Sequence, residues 1–292
     1  MDQRRLHTRE SLLSRRRRRR QTHVRRRAAA VAVLAVVLTL GVVAITSGSG
    51  KRADDVAPFA VFGKRARIFP RVDRVSRMPY VAVAGKRKRE IALTFDDGPG
   101  PYTSEIVRTL RRLRAPGTFF QVGATEHYFT DAEELQRSAP LVTIGVHTLG
   151  HKRLDRLSRT DQAAQIDGDT AVLTAAGIPL PTLFRPPYGA YDATTLELLK
   201  ERGMTMVLWS VDSEDYLRPG VDAIVDRVLA NVKPGAIVLL HDAGGDRSQT
   251  IEALPRIVLG LRRRHYTLVS VPRLLKDAPP PLAQPKLGVG AG

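Results

Sequence analysis

With 292 residues, 43% of them hydrophobic, the chain can bury a substantial core and is not a disordered polymer. The absence of Cys excludes disulfides, thiolate metal sites and a cysteine nucleophile, so any metal must be held by His, Asp or Glu. The net charge of +18 lies wholly in residues 1–27 and 51–90, and from Ile91 to Gly292 basic and acidic side chains number 23 each, which removes the case for a nucleic-acid partner.

Residues 1–27 hold twelve Arg against Asp2 and Glu10 and read as a cytoplasmic Arg-rich tail. Residues 28–46 follow with no charge and only Thr39 and Thr46 carrying hydroxyls. At about 1.5 Å per residue they span roughly 28 Å, close to the ~30 Å of a bilayer core, and the preceding arginines orient them as a single-pass signal-anchor. A cleaved signal peptide, which would make the protein secreted, is the alternative, although its apolar region usually has only about 7–15 residues. Residues 47–87 read as a basic extracytoplasmic stalk interrupted by Pro58, Pro70 and Pro79, suited to an anionic envelope polymer or to plain solvation.

Strand and helix patterns then alternate. Residues 91–95, 118–122, 142–146, 204–210, 236–240 and 267–270 are predicted strands, and 102–115, 160–175, 192–202, 221–231 and 249–264 predicted helices, the first capped by Thr103 or Ser104. Such alternation implies βαβ units with a parallel sheet, and Asp96, His147, Asp212 and His241 fall directly after strands, where α/β folds place their sites. The segment 276–292, with Pro279, Pro280, Pro281 and Pro285, reads as an unfolded tail.

Asp96 and Asp97 end an apolar strand before a Gly-Pro turn. Adjacent side chains on extended backbone point apart, so one carboxylate can face a metal and the other a water; an ordinary Asp-rich turn is the plain alternative. His147 and His151 stand four apart, as on one helical turn, and with an Asp they would give three ligands and an open position, the form of a catalytic zinc site. Arg185 opens the rigid turn Arg185-Pro186-Pro187-Tyr188-Gly189 and could hold a carboxylate ionised. Asp215 lies in Asp212-Ser213-Glu214-Asp215-Tyr216, and His241 ends another strand; a His beside a carboxylate is a credible proton donor near neutral pH.

Together and in this order, TFDDGP at 94–99, HTLGH at 147–151, RPPYG at 185–189, DSEDY at 212–216 and LLH at 239–241 resemble the polysaccharide deacetylase family, also called the NodB homology or carbohydrate esterase family 4 domain, over residues 88–275. The resemblance implies an α/β fold, a distorted (β/α) barrel with fewer than eight strands. It implies that Asp97, His147 and His151 hold a divalent metal, most often Zn²⁺, with Co²⁺ or another divalent ion as alternatives. It makes Asp96 the base acting on a metal-activated water, His241 the acid for the leaving amine, and Arg185 and Asp215 their respective partners. Pro187, Tyr188 and Tyr216 would contact substrate, with a backbone N–H near Tyr188 facing the oxyanion. The chain departs from the family pattern at Val146, Lys152 and Tyr216, where Asn, Pro and Trp are usual.

The implied activity is removal of N-acetyl groups from an extracytoplasmic polysaccharide, peptidoglycan or a chitin-like oligomer, with the membrane met through residues 28–46. A catalytically silent glycan-binding envelope protein and an O-acetyl esterase of the xylan type are the alternatives. No protein partner is inferable from the sequence.

Overall fold

The computed structural model describes residues 80–128 and 140–285. The tail 1–27, the expected span 28–46 and most of the expected stalk lie outside the described residues, and no helix among those described is long and apolar enough to cross a membrane. Contacts divide the chain into Met1–Arg65 and Ala66–Gly292. The second unit carries its own apolar core and by that criterion folds on its own.

Its strands are β1 (Glu90–Asp96), β2 (Gly117–Gln121), β3 (Val142–Val146), β4 (Leu183–Phe184), β5 (Thr205–Met206), β6 (Val211–Asp212), β7 (Ile237–His241) and β8 (Thr267–Leu268). Its helices are α1 (Thr103–Arg112), α2 (Arg159–Ala175), α3 (Ala193–Glu201), α4 (Val221–Asn231), α5 (Ser248–Arg263) and α6 (Val271–Asp277). Named strands pair only in parallel, in the order β5-β4-β3-β2-β1-β7-β6, with β8 joined to the start of β1. This is the parallel half-barrel expected of alternating strand and helix. Among the described residues the sheet has eight strands rather than fewer, and four of them, β4, β5, β6 and β8, are only two residues long.

The interior follows from period-two alternation along β1, which is buried throughout. Ile91, Leu93 and Phe95 face the outer layer, where they meet Ile106 and Leu110 of α1 and Leu254 and Ile257 of α5. Phe95 and Phe119 stack there at 4.8 Å. Ala92 faces inward with Phe120, Val207 and Ile237. Thr94 and Asp96 share that inner side, so the same alternation that packs the core delivers one carboxylate to the mouth of the half-barrel.

The helices start as local chemistry dictates in two cases: Ser158 accepts from the Asp161 N–H to cap α2, and Asp192 and Thr195 form a capping box on α3. Helix α1 differs from expectation. Its N-cap is Tyr102 with no side-chain bond, and the Thr103 hydroxyl instead accepts from the Gly100 N–H and donates to Asp242.

The domain also runs past both expected limits, 88 and 275. The Val81 N–H donates to the Met206 carbonyl, and Gln284 both receives the Ala82 and Val83 N–H groups and donates to the Val83 carbonyl. The expected unfolded tail therefore begins later than 276: α6 reaches Asp277 and residues up to Pro285 are docked on the N-terminal edge. Proline removes N–H donors without preventing a neighbouring glutamine from acting as a clasp.

Candidate active site

The reactive side chains gather at the C-terminal ends of the strands. Asp96 is the last residue of β1 and His241 the last of β7, paired in register, while His147 follows β3 and Arg185 follows β4. Asp97 leaves the strand with φ of 75°, turning its carboxylate away from that of Asp96. Gly98 permits this turn, since a Cβ there would stand 2.1 Å from an Asp242 carboxylate oxygen.

Asp97 Oδ1 lies 3.0 Å from His151 Nε2 and 3.5 Å from His147 Nε2. Two ligands about 2.1 Å from a tetrahedral ion stand about 3.4 Å apart, so these donors fit a zinc-like cation. One oxygen and two imidazole nitrogens are also the donor chemistry that suits it. Burial works against the Asp97 charge, yet the imidazoles of His147 and His151 beside it hold its carboxyl well below the usual range. The two His do not share a helical turn as their spacing suggested. They flank a loop in which Thr148 and His151 have φ of 71° and 53°, so that rings 5.1 Å apart meet one carboxylate.

His147 is buried and its Nδ1 lies 2.7 Å from the Arg185 carbonyl. A carbonyl can only accept, so Nδ1 carries the proton and Nε2 presents its lone pair to the site. The His147 backbone N–H donates to Gln121 O and to Asp169 Oδ2, each at 2.8 Å. Asp169 on α2 is fully buried, and burial raises its carboxyl well above the usual range against the pull of that N–H.

Arg185 is also fully buried. Its Nη1 donates to Asp96 Oδ1 at 2.7 Å and to Thr94 Oγ1, its Nε and Nη2 donate to the carbonyls of Val207 and Leu208, and its guanidinium lies 4.2 Å over the Phe120 ring. Burial lowers its pKa while Asp96 opposes that shift. All three guanidinium nitrogens are thus bonded, which fixes Asp96 with its second oxygen 3.8 Å from His147.

Opposite, His241 Nδ1 lies 2.7 Å from Asp215 Oδ1, and Asp215 Oδ2 accepts from the His241 N–H and the Thr250 hydroxyl. Burial would discharge His241, but the Asp215 carboxylate overrides it and the pKa is pushed up to about 9. Burial likewise favours neutral Asp215, and the charge of His241 outweighs this and lowers it. Asp242, next along the chain, is fully buried with Oδ2 bound by Thr103 at 2.5 Å, and burial pushes it up to about 7.

The walls are aromatic. Tyr188 sits edge-on to His151 with ring centroids 4.8 Å apart, and Tyr216 edge-on to His241 at 5.4 Å, both rings well exposed. Tyr188 has φ of 60°; the Gly189 and Ala190 N–H groups are used inside the turn, while that of Tyr188 has no backbone partner among the described residues. Pro187, expected to touch substrate, is buried and shapes the turn. The fold thus brings every other expected site residue to one mouth. It adds Asp169 and Asp242, which sequence reasoning missed. Asp169 was readable as a carboxylate on the apolar face of α2, in step with Ile166, Thr170 and Leu173.

Comparison with known proteins agrees with this arrangement. The family description "Polysaccharide deacetylase" matches residues 84–207. A peptidoglycan-N-acetylglucosamine deacetylase of Bacillus cereus is 39% identical over 198 residues, covering 64% of this chain and 88% of the relative. A chitooligosaccharide deacetylase of Sinorhizobium fredii is 37% identical over 204 residues, covering 65% and 94% respectively. A solved structure of a peptidoglycan N-acetylglucosamine deacetylase superposes with TM-score 0.65 and 30% identity, covering 72% of this chain and 98% of that one.

Proposed function

The chain belongs to the polysaccharide deacetylase family, and from that membership we propose that it is a hydrolase of carbon–nitrogen bonds that removes N-acetyl groups from a glycan polymer, with peptidoglycan as the preferred substrate and chitin-like oligomers as the next. The observation that carries the reading is that a fitted Asp97-His147-His151 donor set lies between a pinned carboxylate, Asp96, and an imidazolium, His241. A divalent cation, Zn²⁺ by its donor chemistry, would supply Lewis-acid polarisation of the amide carbonyl and a lowered pKa for water.

The chain's own residues supply the rest. Asp96, held by Arg185, takes one proton from the attacking water as the new carbon–oxygen bond forms. The Tyr188 N–H, which has no backbone partner among the described residues, would donate to the oxygen on which negative charge develops. His241, kept charged by Asp215, gives its Nε2 proton to the departing nitrogen as the carbon–nitrogen bond breaks, leaving acetate and a free amino sugar. Tyr188 and Tyr216 offer rings to the faces of a sugar and its acetyl group.

An extracytoplasmic site on a membrane anchor formed by residues 28–46 completes the proposal, supported by the apolar run and the arginines before it. The test is acetate release from peptidoglycan, chitooligosaccharides and acetylated xylan, by the wild type and by Asp96→Asn, with chelator and with restored Zn²⁺. Release from the first two that is lost with chelator and with Asp96→Asn is expected. Activity confined to xylan would point to an O-acetyl esterase, and no release from any substrate to a silent glycan binder.

A further inference from the structure

We infer that the end of the domain opposite the active site is a docking face for an anionic phospholipid surface. In parallel βαβ units each helix runs back against its strands, so the last turns of α1 and α5 lie at the end where the strands begin. These helices pack together, and their ends bring six exposed guanidinium groups to one face: Arg112 and Arg114 from α1 and its exit, Arg262, Arg263 and Arg264 from α5, and Arg89 just before β1. Arg262 Nη2 donates to the Arg114 carbonyl at 3.1 Å, Arg89 Nη2 to the Arg264 carbonyl at 2.8 Å, and Arg264 to the Leu229 carbonyl. Among the described residues none of the six has a carboxylate within ion-pair distance, whereas Arg159, Arg202, Arg256 and Arg273 on the flanks are all paired.

Cations at a helix C-terminus complement its dipole, but that effect fades within one turn and α2 and α4 end without any. A crowd of like charges, three of them held by backbone carbonyls, leaves a positive field that an anionic surface would neutralise. The domain from Ile91 onward is formally neutral, so this is segregation of charge rather than excess. Leu259, 44% exposed, stands one turn ahead of Arg263 on α5, an apolar side chain that lipid accommodates and a hydrated polyanion does not. Among the described residues no exposed aromatic stacking platform accompanies the arginines; the exposed tyrosines are at the active site and Tyr266 lies half-buried under Arg89, which disfavours single-stranded nucleic acid. Docked in this way, the domain would turn its catalytic mouth away from the bilayer. The inference rests on the proposed membrane location for its setting, but not for its test.

Residues 66–292 are sedimented with vesicles of one part phosphatidylglycerol to three parts phosphatidylcholine, and with phosphatidylcholine alone. The patch variant carries Arg112→Gln, Arg114→Gln, Arg262→Gln and Arg263→Gln; a control carries Arg159→Gln, Arg202→Gln, Arg256→Gln and Arg273→Gln, with the same net charge. Binding only to the anionic vesicles, abolished by high salt, weakened at least tenfold in the patch variant and less than twofold in the control, is expected. Equal loss in both variants, no vesicle binding by the wild type, or tighter binding to duplex DNA or to a soluble polyphosphate than to vesicles would overturn it. Acetate release from soluble chitooligosaccharide is measured in parallel and should be the same in wild type and patch variant, so a failed deacetylase reading and a failed docking face give different results.

Discussion

Asp215→Asn tests the proposed acid directly, because it removes the charge that sustains His241 while keeping the shape of the side chain. In the wild type Asp215 raises His241 to about 9, above its ordinary 6.5, so the imidazolium persists through neutral pH and is lost only as pH rises through about 9. At pH 8 about nine-tenths of His241 is then charged; without Asp215 only Asp97 and Asp96 oppose burial, and where these balance at the ordinary value about 3% is charged at pH 8 and about three-quarters at pH 6. Loss of the proton donor therefore costs about 30-fold at pH 8 and less than twofold at pH 6. A second cost is independent of pH: Asp215 Oδ2 receives two donors, the His241 N–H and the Thr250 hydroxyl, and an amide can satisfy these only by turning its NH₂ toward His241 Nδ1. The ratio of the losses at the two pH values separates the effects and should be about 20. The assay is kcat/KM for acetate release from a chitooligosaccharide by zinc-loaded enzyme across pH 5.5 to 9, beside a proton NMR titration of His241. Equal losses at pH 6 and pH 8, or a His241 titration unmoved by the substitution, would refute the assignment.

Arg185→Ala should destabilise the domain by about 3–5 kcal/mol in urea unfolding, because it strands a buried Asp96 carboxylate, and a cost below 1 kcal/mol would contradict the pairing. Asp169→Ala removes the carboxyl oxygen that fixes the His147 N–H and should weaken Zn²⁺ binding about 10–100-fold in chelator competition, while Asp169→Asn, which keeps an acceptor, should weaken it far less. Gly98→Ala drives a methyl into the Asp242 carboxyl and should destabilise the fold by at least about 1–3 kcal/mol. Adding Asp242→Ala removes the obstacle and should recover part of that loss in a thermal melt, whereas a strictly additive double variant would show that the clash is not what makes glycine necessary.

What could be read in the sequence was whatever had enough residues to form a pattern. The five-residue and longer strands and all of α2 to α5 fall within a residue or two of their expected limits. A strand of two residues has no periodicity, so β4 and β6 were invisible, and of 204–210, read as one strand, only Thr205–Met206 form β5. Asp96, His147, Arg185 and His241 stood out because each follows a hydrophobic run. Their supports were harder to see: Asp169 gave only its place on the apolar face of α2, and Asp242 gave no signal, because it acts through burial, which a string of letters does not record. The basic end face escaped for a related reason: a count of charges gave neutrality, and only the common direction of α1 and α5 places Arg112, Arg114 and Arg262 together.

The loop that carries His147 and His151 shows why spacing alone misled about local geometry. Four positions separate His147 from His151, which on a helix would stack the rings; here Thr148 and His151 take left-handed conformations that cost of order 1–3 kcal/mol each. Such strain persists only if the surroundings over-determine it. The Gly123 N–H binds the Thr148 carbonyl, the Ala124 N–H the Leu149 carbonyl, and the Leu149 N–H and Gly150 N–H bind Gln165. Leu149 itself packs onto Gly168, where a Cβ would stand 2.9 Å from its methyl. These contacts come from α2 and from the turn after β2, so the loop's shape is fixed from outside before any ligand arrives. A donor set held in this way loses little entropy on binding a cation, which is the physical advantage of building it on strained backbone rather than on a free helix.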